Sequence, residues 1–565
     1  MPIEGLTDLA GSLIHFCVDS KRPRASSNAG NGRIAFQQEQ IMKPPCDQAV
    51  IESGHPAAPC TKSAEAWVLA VTILGSSMAF IDGTVVNVAL PAVQRTLGGT
   101  VIDMQWVVEG YALFLSALIL AGGAMGDVFG RRRMFLAGVT LFAIASAGCG
   151  LAANIRELVI ARAVQGFGAA FLVPGSLSII SASFGEKKRG RAIGTWSGFT
   201  SIATAGGPVL GGWLIEHASW RWVFFINMPL AATVIVLSLL RVPESRDDTA
   251  SSIDWIGAQI VTAGLAGVTY GFIESANRGW RNPSVWGTLA VGCAFLAIFP
   301  YFEAQVRSPM VPLKLFQSRD FTGANLVTLF LYAPLGIFFF LYPLNLIQVQ
   351  HYSATATGAA ALPFILLMFL LSRWSGGLVG RFGARLPLIV GPVIAAAGFL
   401  LFIIPSVVGS YWTTFFPGFL VLGLGMAVSV APLTTVVMGA VEQKHAGTAS
   451  GINNAVARIA GLLAVAILGM TMVSAFGYYL NERLTQLNLP AEATQSVQSN
   501  EIRLAALTVP PGVDSNAAAT LRILIDRAFV FGFRLIMLIC AGLSAASSGF
   551  AWRMIGARGE RQSVG

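Results

Sequence analysis

The sequence predicts an all-α polytopic membrane protein that crosses the bilayer fourteen times. Three observations carry this. Of 565 residues, 54% are hydrophobic and only 12% are charged, with a mean hydropathy of +0.67, too little charged surface for a soluble chain of this length. The apolar excess is gathered into repeated runs of about 20 residues, the length that spans a bilayer as a helix. The short connections between those runs also alternate in charge.

Residues 1–65 differ in kind, being rich in Ser, Pro, Gln, Lys and Arg. Their one apolar run, LAGSLIHFCV (9–18), is too short to span and lacks a basic start, so it does not read as a signal peptide. A disordered cytoplasmic extension is expected, with Met42 as an alternative start. From Trp67 the expected spans are 66–90, 104–126, 132–152, 157–180, 190–214, 221–241, 254–273, 284–302, 322–348, 355–378, 386–406, 412–438, 447–475 and 528–554. The one long polar connection, 481–527, is Gln-, Asn- and Ala-rich, and could carry an amphipathic helix lying on the surface. Residues 556–565 form a short tail.

The connections after even-numbered spans carry fifteen Lys and Arg, against five after odd-numbered spans when 481–527 is left aside. The positive-inside rule then puts both termini in the cytoplasm, in a cytoplasmic (inner) membrane. A duplication is also visible. GGAMGDVFGRRR (122–133) resembles GGLVGRFGARL (376–386), and GRAIG (190–194) resembles GTASG (447–451). The expected domains are therefore a six-helix bundle over 66–242, an inserted helix pair over 253–303, and a second six-helix bundle over 320–555. Two related halves around a midplane site are an architecture of transporters.

Charges inside spans are costly in hydrocarbon and face a cavity or a partner. Asp82 lies about nine residues, or roughly 13 Å, from the outer end of span one. Glu109 and Arg162 each lie about six residues, or roughly 9 Å, below the outer ends of spans two and four. Two acids and a base at similar depth can pair, exchange a proton or bind a charged ligand. The alternative is a structural ion pair between Arg162 and either acid. Gln165 shares a helical face with Arg162 at i, i+3, and Asn454 with Arg458 at i, i+4, with Asn453 adjacent. These, with Asn87, read as cavity-lining or as helix–helix hydrogen-bonding groups. Arg534 is a further intramembrane charge.

Span five, GTWSGFTSIATAGGPVLGGWL (194–214), is read as bent and close-packed because Pro208 breaks the ladder and glycines permit close approach. In GAMGDVFGRRRM (123–134), Asp127 sits at a helix end before three arginines. It could cap a neighbouring helix or pair with a loop arginine, latching the inner face shut. Trp106, Trp213, Trp220 and Trp222 read as an interfacial belt.

Together these residues resemble the major facilitator superfamily, specifically its fourteen-span drug:proton antiporter branch. The resemblance covers 66–555 and is sharpest over 79–242. It rests on IDGTVVNVALP (81–91), GAMGDVFGRRRMF (123–135), ARAVQGFGAA (161–170) and the span-five glycines. Val128 stands where the family usually has a basic residue, and Ala203 where a further Gly is common. The resemblance implies proton coupling through Asp82 and Arg162, which Glu109 joins as a candidate by its depth alone. It implies a cytoplasmic gate of Gly123, Asp127, Gly130, Arg131 and Arg132, and an antiport motif of Gly194, Gly207, Pro208, Gly211 and Gly212. Gly380 stands where the second half would need the equivalent of Asp127, so only the first loop should form a full latch.

The expected function is proton-driven export of amphipathic, often cationic, small molecules by alternating access. The runner-up is uniport or proton symport of a metabolite on the same fold. A membrane receptor or scaffold lacks the large soluble domain expected of one. No cluster of His, Cys or carboxylates has catalytic or metal spacing, so no enzyme and no cofactor are expected, the proton gradient being the energy source. The net charge of +9 is dispersed through short loops, which argues against nucleic acid. Of six cysteines, Cys17, Cys46 and Cys60 lie in the leader, while Cys149, Cys293 and Cys540 are expected to be buried small hydrophobes. Expected partners are a small-molecule substrate and the lipid bilayer, with room for a periplasmic adaptor; a monomer is expected.

Overall fold

A computed structural model describes residues 62–246, 253–306, 309–407, 409–442, 446–487 and 489–556. The expected extension up to residue 61, with its three cysteines, and the tail from 557 lie outside the described residues. Each expected span coincides with a helix. The first eight are α1 (Lys62–Leu97), α2 (Val101–Phe129), α3 (Arg131–Leu151), α4 (Ile155–Ser183), α5 (Glu186–His217), α6 (Asn227–Arg241), α7 (Trp255–Arg278) and α8 (Pro283–Glu303). The rest are α9 (Arg319–Leu344), α10 (Leu362–Phe382), α11 (Arg385–Leu401), α12 (Phe416–Gly439), α13 (Ala446–Leu484) and α14 (Ser515–Met554). Short helices Trp222–Phe225 and Ala354–Ala360 lead into α6 and α10. No strand occurs among the described residues.

Among the described residues, twelve helices are long and apolar enough to cross a membrane, so the count of fourteen is not met there on length and composition alone. The two outside that number are α5, diluted by Gly, Ser and Thr, and α11, which has 17 residues. Local chemistry fixes the starts of several helices. Thr100 and Asp103 form a reciprocal capping box at α2, Asn154 caps α4, Asp254 caps α7, and Ser318 caps α9.

The packing is asymmetric across the membrane. Towards the face bearing 481–527, here the outer face, one continuous core joins both halves, from Val85 and Phe224 through Phe338, Phe402 and Phe419 to Phe476 and Phe533. Towards the arginine-rich inner face the core divides. Val68, Phe135, Phe184 and Trp196 form one part, and Leu315, Phe321, Leu388 and Val436 another.

The seam between α5 and the start of span ten shows the same asymmetry. A Cβ on Gly358 would come within 2.0 Å of the Pro208 carbonyl oxygen, and one on Gly212 within 2.3 Å of that of Ala354. At the outer end the Thr355 hydroxyl and amide both donate to the Glu216 carboxylate. Gly190 and Gly194 lie within about 40° of the Pro208 face of α5 at 100° per residue, yet nothing lies within 4 Å of a Cβ on either. The same holds for Gly376 and Gly377 on α10. The seam is packed outside and open inside.

The outer connection is more ordered than a polar loop. It contains the helix Ala491–Ser499 and the turn Glu501–Ala506, and α13 and α14 extend beyond their expected outer limits. Gln94 donates to the Arg503 carbonyl at 3.3 Å, Gln348 to Gln94 at 2.9 Å, and Arg522 to the Gln348 carbonyl at 3.0 Å. The connection thus caps the outer ends of helices from both halves. Two smaller expectations fail. Cys293 is exposed while Cys149 and Cys540 are buried, and Trp220 is packed inside, unlike the exposed Trp213 and Trp222.

Close packing at the outer seam predicts a contrast between two glycines. Gly358→Ala pushes a methyl into a backbone carbonyl and should cost about 1–3 kcal/mol, seen as a lowered midpoint of thermal unfolding in detergent. Gly376→Ala, with open space around it, should leave the midpoint unchanged or slightly raised.

Candidate functional site

Three expected residues meet. Asp82 on α1 and Arg162 on α4 form an ion pair, Nη1 to Oδ2, at 2.5 Å. Gln165, one turn from Arg162, donates to the other Asp82 oxygen at 2.8 Å and accepts from Arg162 Nη1 at 2.7 Å. Arg162 Nε donates to the Val107 carbonyl at 3.0 Å, and the guanidinium carbon lies 4.3 Å from the Tyr111 ring centroid. All three residues are at most 1% exposed. A buried ion pair is tolerable only when its remaining donors and acceptors are met. Here Gln165, Val107 and Tyr111 meet them. The spacing of Arg162 and Gln165 on one face of α4 is what lets both reach a single carboxylate.

Glu109 is not part of this cluster. Val107 and Tyr111 face Arg162, and Glu109, two residues from each, projects about 200° away around α2. It shares the face of Gln105, one turn outward, whose amide donates to the Val465 carbonyl of α13 at 3.0 Å. Glu109 is 1% exposed, and neither carboxyl oxygen has a hydrogen-bond partner among the described residues. Depth alone matched it with Asp82; helical azimuth separates them.

The antiport-motif residues sit against α1. Pro208 has no N–H, so the Thr204 carbonyl four residues earlier loses its helical donor. The Thr84 hydroxyl of α1 lies 3.3 Å from that carbonyl. A Cβ on Gly207 would come within 2.5 Å of Thr84 Oγ1, and one on Gly211 within 1.9 Å of Val85 Cγ2. Gly194, by contrast, borders the open inner end.

At the inner face Asp127 pairs with Arg131, one turn on, at 2.8 Å. The capping role considered for Asp127 belongs to Glu244, which sequence reasoning missed. The Glu244 carboxylate accepts the backbone amides of Arg132 at 2.9 Å and Arg133 at 3.1 Å, at the positive start of α3. Arg132 also donates to the Val242 carbonyl at 2.8 Å. Gly130 makes the turn with φ +107°, and a Cβ there would come within 2.9 Å of Glu244. A Cβ on Gly123 would stand 3.6 Å from Pro174 of α4, an ordinary contact, so space does not require glycine there. These contacts all lie within the first half, so they brace the loop; they do not latch the two halves in this open-inside arrangement.

Residues 72–465 match the family model of the Major Facilitator Superfamily. The chain belongs to this superfamily.

Among curated relatives, it is 36% identical over 417 residues to the multidrug resistance protein Stp of Mycobacterium tuberculosis, covering 72% of this chain and 75% of that protein. It is 31% identical over 493 residues to the tetracenomycin C resistance and export protein of Streptomyces glaucescens, covering 86% and 90%. It is 34% identical over 426 residues to the puromycin resistance protein of Streptomyces alboniger, covering 74% and 84%. Among solved structures, a bacterial homolog of the human lysosomal transporter Spinster, inward-facing and occupied, matches with a TM-score of 0.59 at 18% identity, covering 87% of this chain and 97% of that one. That match concerns the fold alone. A multi-pass membrane protein of a transporter superfamily that acts on small molecules is thereby established.

The remaining expected cavity residues divide. Asn453 donates to Asn325 at 3.1 Å and Thr328 at 2.6 Å on α9, a helix–helix role. Asn454 is exposed and bonded only to its own helix at Ser450. Arg458 and Asn87 are half-buried and have no hydrogen bond or ion pair among the described residues. Arg458 lies near enough to Tyr111 to act on it electrostatically.

A double-mutant cycle tests the energetics of the cluster. Arg162→Met alone leaves Asp82 buried with half its partners and should cost about 3–5 kcal/mol. The Asp82→Ala/Arg162→Met pair should be markedly less destabilised than the sum of the single changes. Chemical unfolding in detergent reads both.

Proposed function

We propose that this protein exports amphipathic, cationic small molecules from the cytoplasm in exchange for protons, by alternating access. The single observation that carries the proposal is a fully buried acid–base–amide cluster, Asp82–Arg162–Gln165, set in a bundle packed outside and open inside. Protonating Asp82 would remove the charge that holds Arg162, so proton binding and helix packing share one contact. The relatives named for drug resistance and export support the direction and the substrate class. The charge pattern supports cytoplasmic termini.

In this reading the Gly207–Pro208 bend keeps α5 packed on α1 while its inner end swings. Asp127 with Arg131, and Glu244 with the start of α3, stiffen the inner loop as it moves. Glu109 is a second acid at the α2–α13 seam. An unpartnered buried carboxyl is an unfavourable arrangement, and opening the outer seam would give it water or a cation.

Two outcomes are expected in everted vesicles given a fluorescent cationic dye on their outward-turned cytoplasmic face, where efflux appears as uptake into the lumen. Asp82→Asn abolishes efflux driven by an imposed pH gradient; gradient-dependent efflux at the native rate in that variant would remove Asp82 from the coupling. Glu109→Gln keeps gradient-driven efflux but lowers the number of protons moved per dye molecule, measured as proton flux against dye flux. An unchanged ratio would leave Glu109 with a packing role.

A further inference from the structure

We propose that the outer end of α14 carries a binding groove for the phosphate headgroup of an anionic phospholipid in the leaflet on that face. The groove, of about 490 Å³, is lined by Ser406, Val407, Tyr479, Arg527, Phe531 and Arg534, together with Val530. It contains two arginines and no acid. Arg527 is exposed and has no hydrogen bond or ion pair among the described residues. Arg534 is positioned by a hydrogen bond from Nη2 to the Pro405 carbonyl at 3.0 Å, and its Nη1 has no partner among the described residues.

The nearby carboxylates do not compete. Asp526 is buried, 3.4 Å from Arg522, and Glu482 is paired with Arg483 at 3.1 Å. A third guanidinium, Arg483, stacks 3.8 Å from the Tyr479 ring centroid. The unspent charge of the groove is therefore positive, on the face where the charge pattern otherwise keeps arginine scarce.

Depth selects a lipid. The carbonyl that fixes Arg534 lies four residues beyond the end of α11, which places this guanidinium at the end of a span. Arg527, seven residues earlier on the same face of α14, stands about 10 Å further out. Phe531 lies between them, and Leu538, 54% exposed, continues the face one turn inward. The stripe runs from cation to aromatic to cation to aliphatic, matching headgroup, interface and acyl chain in turn.

The test uses the full-length protein purified in mild detergent and titrated with phosphatidylglycerol or phosphatidylcholine, bound lipid being counted by native mass spectrometry. Native protein should retain phosphatidylglycerol in preference. At about a fivefold loss per arginine, Arg527→Gln/Arg534→Gln should weaken that preference roughly thirtyfold. Arg527→Lys/Arg534→Lys should largely preserve it, and all three proteins should share one thermal unfolding midpoint, which excludes misfolding. Equal retention of both lipids by native protein, or an undiminished preference in the glutamine variant, would overturn the proposal. Displacement of phosphatidylglycerol by millimolar inorganic phosphate would overturn the assignment to lipid and leave a site for the free anion.

Discussion

Three helices of the first half converge on one buried carboxylate. Asp82 holds Arg162 on one oxygen and Gln165 on the other, and Arg162 also donates to Gln165 and the Val107 carbonyl. Three helices, α1, α2 and α4, are thereby fixed at one depth. Removing one charge strands the other, and neutralising Asp82 loosens all three contacts together. A buried pair of this kind contributes little net stability, which is why a switching role is proposed for it.

The glycines set where that switch can act. α5 lies on α1 through Gly207 and Gly211, close enough that no side chain fits, and Thr84 approaches the carbonyl that Pro208 leaves free. α1 therefore links the charged cluster directly to the helix that forms the seam with the second half. Outside, that seam is closed by backbone contact at Gly212 and Gly358; inside, the glycines of α5 and α10 face open space. The continuous outer core and the divided inner core repeat the pattern in side chains. Motion that opens the outer seam must separate packed backbones, whereas the inner seam has only to close.

Much of this was legible in the sequence. Composition and run length placed the long helices α1 to α14, and the i, i+3 spacing of Arg162 and Gln165 with the depth of Asp82 located the cluster. Depth is a one-dimensional quantity, however, and could not say that Glu109 points about 200° away from Val107 and Tyr111. Glu244 escaped because its partners are more than 100 residues distant and a single acid in a basic loop has no periodic signature. The outer cap made by Gln94, Gln348, Arg503 and Arg522 was hidden for the same reason. Arg534 was read from its position in an apolar run, but that run begins above the end of α11, so its charge lies at the interface.

The measurement that bears most directly on the link between Asp82 and the seams is the distance between spin labels across α5 and α10. One pair would replace Gly194 and Gly376 at the inner ends, and another Trp213 and Thr355 at the outer ends, in the protein reconstituted in nanodiscs at pH 8 and pH 5.5. Acidification is predicted to shorten the inner distance and lengthen the outer one, and Asp82→Asn to hold both near their acid values at either pH. Distances that ignore pH, or that respond to it equally with and without Asp82, would contradict this account.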